Sequence, residues 1–326
     1  MKVEKISINK LHGIHPFVSS YWAKLKEFNN WQNEAYLVES DGELFETLVL
    51  YKKIVFKKYL AYIPFSPLSI EENYLLTQEQ LIEILNSINE QSIFNILFFR
   101  LDLPFSYGVN KIYTNKFVKN RNSIQPDLSV QLNLKKDISE IRASYKKRAN
   151  RNLKKNLNTI FTTEVAPTDK NIEIWYSLYK ETAKRDNFQI RNLEYIKRLF
   201  NIKSSIKTKL IFSYKANEVV GGIIVLYSKK EAIYLFGASK KLPHISPSYS
   251  LQDFAIDNMK KLGVEKYDFF GIGDDSTSEH LKSLTLFKTA FGGEKVERIP
   301  SLDYPINKLL FRAYKLIEKL RYFVYR

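Results

Sequence analysis

The chain of 326 residues contains no cysteine. Disulfides, a thiolate nucleophile and cysteine-ligated zinc are therefore excluded together. Histidine is scarce too: His12, His15, His244 and His280 are scattered without the spacing of metal ligands. The GxSxG, HExxH and GxxxxGK[ST] patterns are missing. No apolar run approaches the roughly 18 residues that span a bilayer. The opening MKVEKISINKLHGIHPF has scattered charges and no apolar leader core. A cytoplasmic protein with no metal and no cofactor is expected.

Acidic residues are in deficit, with Lys+Arg at 51 against Asp+Glu at 35, a formal net charge of +16. Such an excess favours polyanionic partners: nucleic acid, nucleotide phosphates or an anionic membrane face. Apolar residues, by contrast, are plentiful at 44%, with 14% aromatic. That is enough to build cores rather than a disordered chain, and the length favours two domains.

The patterning alternates strands and helices. Asp41-Gly42 marks a hairpin between AYLVES and ELFETLVLYKKIVFKKYLAYIP. TQEQLIEILNSINEQ reads as a helix with Leu81, Ile84, Leu85 and Ile88 on one face and Thr77 as N-cap. IFNILFFRLDLPF reads as a buried strand ending near Asp102. A second run holds helices in KNIEIWYSLYKETAKRD and LEYIKRLFN, then the strands of LIFSYKANEVVGGIIVLYSKKEAIYLFGAS. SYSLQDFAIDNMKKLG follows as a helix, with Leu251, Phe254, Ala255, Met259 and Leu262 on one face and Gly263 as its stop. The tail NKLLFRAYKLIEKLRYFVYR is a basic amphipathic helix, whose apolar face either packs on a domain or touches an anionic membrane.

Three constellations carry chemistry. The first is a helix expected over residues 141–160, with a buried stripe of Ile141, Tyr145, Ala149, Leu153 and Leu157. Around it stand Arg142, Lys146, Lys147, Arg148, Arg151, Lys154 and Lys155, with no acid. Like charges forgo the few tenths of a kcal/mol that mixed i,i+4 pairs contribute. A phosphate-rich partner would offset that loss, which makes Lys146, Lys147, Arg148, Arg151, Lys154 and Lys155 candidate nucleic-acid contacts. The second constellation is aromatic and cationic. Arg191 and Tyr195 share a face if helical, a pair suited to pyrophosphate or carboxylate, and Lys26 with Trp31 places a cation near an aromatic edge. The third is YDFFGIGDDSTSEHLKSLTLFKTAFGG, which reads as strand, glycine-rich loop, short helix and Gly-Gly stop. It sets Lys288 among phenylalanines, either as a snorkelling stem or as a cation held for a ligand's negative charge.

YDFFGIGDD…LTLFKTAFGG, YLFGASKKLPHISPSYSLQDFAI, ETAKRDNFQIRNLEY, QPDLSVQLNL and YIPFSPL occur in the order of the Fem family, which the chain resembles from about Tyr21 to its tail. Fem proteins are non-ribosomal aminoacyltransferases that build peptidoglycan bridges from aminoacyl-tRNA. The resemblance implies an α/β fold of the α+β type: two tandem GNAT-like domains with mixed, largely antiparallel sheets. Their expected bounds are 1–136 plus 304–326, on the acceptor side, and 137–303, facing tRNA. It implies a monomer that takes aminoacyl-tRNA as donor and a muropeptide precursor as acceptor, with peripheral contact at the inner membrane face. Lys26, Arg191 and Tyr195 would hold the nucleotide or pyrophosphate part of the acceptor, and Tyr234 and Tyr249 would line the cleft. Lys288 would sit at the aminoacyl ester. Asp102, expected to be exposed, would orient the acceptor amine rather than deprotonate it.

Departures from the family pattern are specific. Phe65-Ser66 stands where Fem proteins often show Arg-Gly, and no heptads lie between Tyr195 and Gly221, which implies the compact form without a helical arm. VVGG lacks the loop that cradles acyl-CoA in ordinary GNAT enzymes. An acyl-CoA-dependent N-acyltransferase acting on an amino sugar or lipid is the alternative enzyme reading. A basic RNA-binding module is the non-enzymatic one.

Overall fold

The computed structural model describes residues 1–326 apart from 56, 72–73, 109–115, 121–122, 274–278 and 325–326, and apart from the side chains of 279–280 and 319–324. Asp274 and Asp275 of the GIGDD motif and the His280 side chain thus lie outside the described residues. The chain divides into two compact units. One comprises residues 1–12, 17–127 and 297–326; the other comprises 13–16 and 128–296.

In the first unit the left-handed Asp41 and Gly42 (φ 52° and 80°) close the hairpin between Gln32–Ser40 and Glu43–Lys53. The sheet continues through Tyr59–Pro64, Ile96–Asp102, Leu302–Pro305 and Val118–Lys119, with Lys2–Ile6 on the far edge. Most pairs are antiparallel, but Tyr59–Pro64 runs parallel to Ile96–Asp102. The helix Gln78–Gln91 begins in a capping box between Thr77 and Gln80, and buries Leu81, Ile84, Leu85 and Ile88 on the sheet. Every residue of Ile96–Asp102 is buried, the charged Arg100 and Asp102 along with the apolar ones.

In the second unit the strands run Glu294–Glu297, Leu128–Asn133, Lys266–Asp268, Glu231–Ser239, Glu218–Tyr227, Lys207–Lys215, Phe161–Val165. Here Glu231–Ser239 is parallel to Lys266–Asp268 among antiparallel neighbours. Glu218–Tyr227 is covered on both faces. A Cβ on Gly221 would stand 3.0 Å from Leu251 of the helix Pro247–Lys261. One on Gly222 would stand 2.7 Å from Trp175 of the helix Asp169–Asp186. Adjacent strand residues face opposite ways, so the two glycines let a helix approach on each side. VVGG is thus a packing device.

Two expectations need correction. Residues 141–160 form two helices, Ile138–Ala143 and Lys147–Asn156, because the Lys146 amide leaves the helical ladder to donate to the Ala290 carbonyl at 2.9 Å. The break shifts the register: Ile141, Tyr145 and Ala149 are buried, but Leu157 is 77% exposed and Asn156 takes the inward place. Leu262, expected on the buried face of its helix, caps the C-terminus and is 49% exposed. In the tail helix Lys308–Val324, Phe311 and Tyr314 pack on Phe98, yet Leu309, Leu310, Leu316 and Ile317 remain exposed.

Candidate active site

Within the second unit, a cavity of about 750 Å³ is walled by Tyr179, Arg185, Tyr234, Lys240, Lys241, Tyr249, Phe287 and Lys288, with Arg148 at its margin. Lys288 is the last residue of the helix Glu279–Lys288 and is only 4% exposed. A short 3-10 turn, Thr289–Phe291, follows, and Gly292 ends it at φ 77°. No other residue fits there: a Cβ on Gly292 would lie 2.1 Å from Ser144 Oγ, and one on Gly293 would lie 2.8 Å from the Gln131 carbonyl oxygen. The Gly-Gly stop thereby seats the lysine-bearing helix against the sheet.

Aromatic rings frame the lysine. Phe291 stacks on Phe269 at 5.4 Å and meets Tyr145 and Phe287 edge-on at 5.2 and 5.7 Å. Tyr249 meets Phe287 edge-on at 5.1 Å, and its hydroxyl accepts from Arg148 Nε at 2.9 Å. Lys288 Nζ donates to the carbonyl oxygens of Phe270 and, at 2.6 Å, Gly271, and stands 5.5 Å from the Tyr234 ring. Both carbonyls converge because Phe270 and Gly271 are left-handed, at φ 53° and 68°. For a phenylalanine that conformation is strained, a feature that clusters at functional sites. An ammonium has three donors, so among the described residues one remains for a ligand. Burial lowers the Lys288 pKa to about 7, with Asp268 opposing the shift.

Asp268 sits beneath this loop with its carboxylate accepting from Ser129, from Gln131 Nε2 at 2.9 Å and from the Phe270 amide at 2.6 Å. Burial raises its pKa, Glu231 adding to the shift and those three hydrogen bonds opposing it. Tyr234 reaches the cavity beside a β-bulge: Tyr234 pairs with Val225 and Phe236 with Ile224, leaving Leu235 as the extra residue. The Tyr234 hydroxyl lies where a Cβ on Gly237 would stand, so glycine there leaves room for the ring to fold back. Burial pushes its pKa upward and keeps the phenol neutral.

Sequence-expected residues fall into separate groups. Lys288, Tyr234, Tyr249 and Arg148 come together at the cavity. Lys146, Lys147, Arg151, Lys154 and Lys155 are exposed along the neighbouring helix and its cap, and Arg148 is exposed as well despite its bond to Tyr249. Arg142 is drawn off to Asp253 at 3.0 Å. Arg191 precedes the helix Leu193–Asn201, whose N-cap is Asn192, so the shared helical face is corrected. Its guanidinium still covers the Tyr195 ring at 5.4 Å, but Tyr195 is buried and neither residue lines the cavity.

The first unit holds the remaining three. Lys26 Nζ stands over the Trp22 ring at 4.3 Å, one turn earlier on the helix Ser20–Glu27, and the Trp31 amide donates to the Lys26 carbonyl at 3.2 Å. Trp31 approaches Tyr62 at 6.1 Å, and Lys52 takes its other side at 5.8 Å. Asp102 is fully buried, which corrects its expected exposure. Its carboxylate receives Tyr62 Oη at 2.6 Å, the Gln125 amide at 3.0 Å, Ser301 Oγ and Arg298 Nη2 at 3.1 Å. Four donors fill the roughly four lone-pair sites of a carboxylate, leaving none to orient an amine. Arg298 in turn stacks 5.7 Å from Phe65, the residue at the departure from the Fem pattern.

Sequence reasoning missed Arg185, Lys240, Lys241, Tyr179 and the two backbone carbonyls. The available signals were the two glycines of GIG and the Lys240-Lys241 pair after GAS.

A family model and the curated relatives point to one family. The FemAB family profile matches residues 113–204 and 201–319. The aminoacyltransferase FemA of Staphylococcus epidermidis is 26% identical over 32% of this chain, a match spanning 25% of that relative's length. The lipid II:glycine glycyltransferase of Staphylococcus haemolyticus is 22% identical over 92% of this chain and 89% of its own. The crystal structure of FemX superposes with a TM-score of 0.80 at 18% identity, covering 96% of this chain and 99% of that one. A conserved protein of unknown function from Bacteroides thetaiotaomicron has the same general fold, with a TM-score of 0.54 at 10% identity and 93% and 98% coverage.

Proposed function

Because this chain belongs to the FemAB family, we propose that it is an aminoacyltransferase moving an amino acid from aminoacyl-tRNA to a stem-peptide amine of a peptidoglycan precursor. The observation that carries this reading is the desolvated Lys288, held by two carbonyls in an aromatic cavity with further cations on its wall. The chain's relatives, the aminoacyltransferase FemA and a lipid II:glycine glycyltransferase, support the reaction class and a precursor acceptor.

In this reading the second unit receives the charged end of tRNA, with Lys146, Lys147, Arg148, Arg151, Lys154 and Lys155 on its phosphates. Arg148 links the basic helix to the cavity through Tyr249. Attack of the amine on the ester carbonyl forms a C–N bond and places negative charge on the carbonyl oxygen. The C–O bond to the ribose then breaks, and the ribose oxygen takes a proton. The third N–H of Lys288 stabilises that oxyanion or the adjacent terminal phosphate in a low-dielectric setting, where one such donor contributes roughly 3 kcal/mol. A side-chain amine with a pKa of about 10.4 must shed a proton before attack. Asp102 has no free lone pair to accept it, so proton transfer is assigned to the substrates themselves. Lys26, Trp31, Arg191 and Tyr195 remain proposed acceptor contacts.

Incubating the protein with a set of charged tRNAs and with both UDP-linked and lipid-linked muropeptide, then weighing the products, tests the proposal. One added amino-acid mass on either precursor is expected. Transfer from acyl-CoA instead, or no transfer from any charged tRNA, would overturn it.

A further inference from the structure

We infer that the outward face of the C-terminal helix docks on an anionic phospholipid membrane. The helix Lys308–Val324 has two apolar sides with different fates. Phe311 and Tyr314 face the sheet and pack on Phe98 at 5.0 and 5.4 Å. Glu318, the helix's one acid, is turned to the same side, where Arg100 donates to it at 3.3 Å and Lys315 pairs with it. Arg100 also forms a bidentate pair with Asp303 of the sheet at 2.7 and 2.9 Å, so the inner face is fixed by both packing and charge.

The other side carries Leu309 at 78% exposure, Leu316 at 66%, Leu310 at 43% and Ile317 at 40%. With Ala313 they fall within one arc of about 120° at helical spacing, distinct from the anchored side. Large side chains contiguous over two turns are not the scattered exposure expected of an ordinary surface. Lys308 and Arg312, both exposed, border the arc. An apolar stripe edged by cations and emptied of acid suits the headgroup boundary of an anionic bilayer, where acyl chains take the leucines and phosphates the cations. A second copy is a poorer occupant, because packing stripe on stripe brings the like-charged borders together. No helix among the described residues is long and apolar enough to cross a membrane, so the contact is superficial. The inference stands whether the acceptor is soluble or lipid-linked.

The test uses the full chain and co-sedimentation with vesicles of phosphatidylglycerol and phosphatidylcholine, against vesicles of phosphatidylcholine alone. Binding to the anionic vesicles is expected. The combined Leu309→Ser, Leu316→Ser and Ile317→Ser variant should weaken it about thirtyfold or more, and Lys308→Ser with Arg312→Ser about tenfold. These side chains are exposed, so circular dichroism and melting should match the unsubstituted protein. Should the triple variant misfold, Leu316→Trp supplies the same information through a blue shift of its emission on anionic vesicles. No binding by the unsubstituted protein, equal binding to both vesicle types, undiminished binding by the well-folded variants, or a dimer in sedimentation that the triple variant disrupts would each overturn the inference.

Discussion

Lys288 concentrates the physical conflict of the molecule in one side chain. Its pKa is lowered to about 7 from an ordinary 10.5, so folding disfavours its charge. The resulting cost is fully present below pH 7, shrinks as pH rises through the window from about 7 to 10.5, and is gone above it. Each pH unit within that window is worth up to about 1.4 kcal/mol. Lys288→Met should therefore melt at or above the unsubstituted protein at pH 7, and lose that advantage toward pH 10. Its turnover should nonetheless fall at least tenfold, because the donor is gone. With the ammonium as the working form, turnover of the unsubstituted protein should carry an alkaline limb centred near pH 7 that the methionine variant lacks. Near-normal turnover in Lys288→Met, or a variant that is simply unstable at neutral pH, would reduce the lysine to a packing residue. The FKTAF setting made the lysine conspicuous in sequence. Its carbonyl partners were illegible, because a left-handed phenylalanine such as Phe270 leaves no compositional trace.

At the scale of elements, periodicity located the helices but missed where tertiary contacts interrupt them. The helix Gln78–Gln91 was readable from Thr77 to Ile88, since its cap and apolar face are local properties. The break at residues 144–146 was not, because it depends on the Lys146 amide meeting Ala290, which is distant in sequence. The break also sorts the charges. Arg142 is neutralised by Asp253, whereas Lys147, Arg151, Lys154 and Lys155 stay exposed on the second helix. If those four meet tRNA phosphates, each released counterion steepens the salt dependence of binding. Replacing all four with serine should flatten the slope of log affinity against log salt by about three. Anisotropy of a labelled tRNA across a salt series measures it. The same four changes should leave the fold and a cooperative melt intact, since the side chains are exposed. An unchanged slope would place the tRNA elsewhere.

Among the described residues each unit closes a core around its own sheet, and composition made more than one core legible before any geometry: apolar residues are abundant and the chain exceeds what one core usually holds. Asp102 was misplaced for a related reason. The sequence RLDLP shows an aspartate at a strand end, but its partners Arg298 and Ser301 arrive some 200 residues later, when the chain returns to the first sheet through Leu302–Pro305. We expect an interior carboxylate with four donors to act on stability rather than on turnover. Asp102→Asn leaves the fully buried Arg298 short of a counterion, with Asp127 at 3.0 Å the one acid left to it among the described residues. A loss of about 3 kcal/mol is expected, toward the low end for a broken buried pair because Asp127 remains. The tryptophans can report where that loss falls: Trp22 and Trp31 lie in the first unit and Trp175 in the second. In urea, variants retaining only Trp22 and Trp31 should show their transition moved to lower denaturant by Asp102→Asn. A variant retaining only Trp175 should unfold at an unchanged midpoint, because its sheet and Lys288 cavity have lost nothing. If the Trp175 midpoint moves by the same amount, the two cores unfold as one and the carboxylate stabilises the whole chain; if neither moves, Asp102 is not the buried counterion described above.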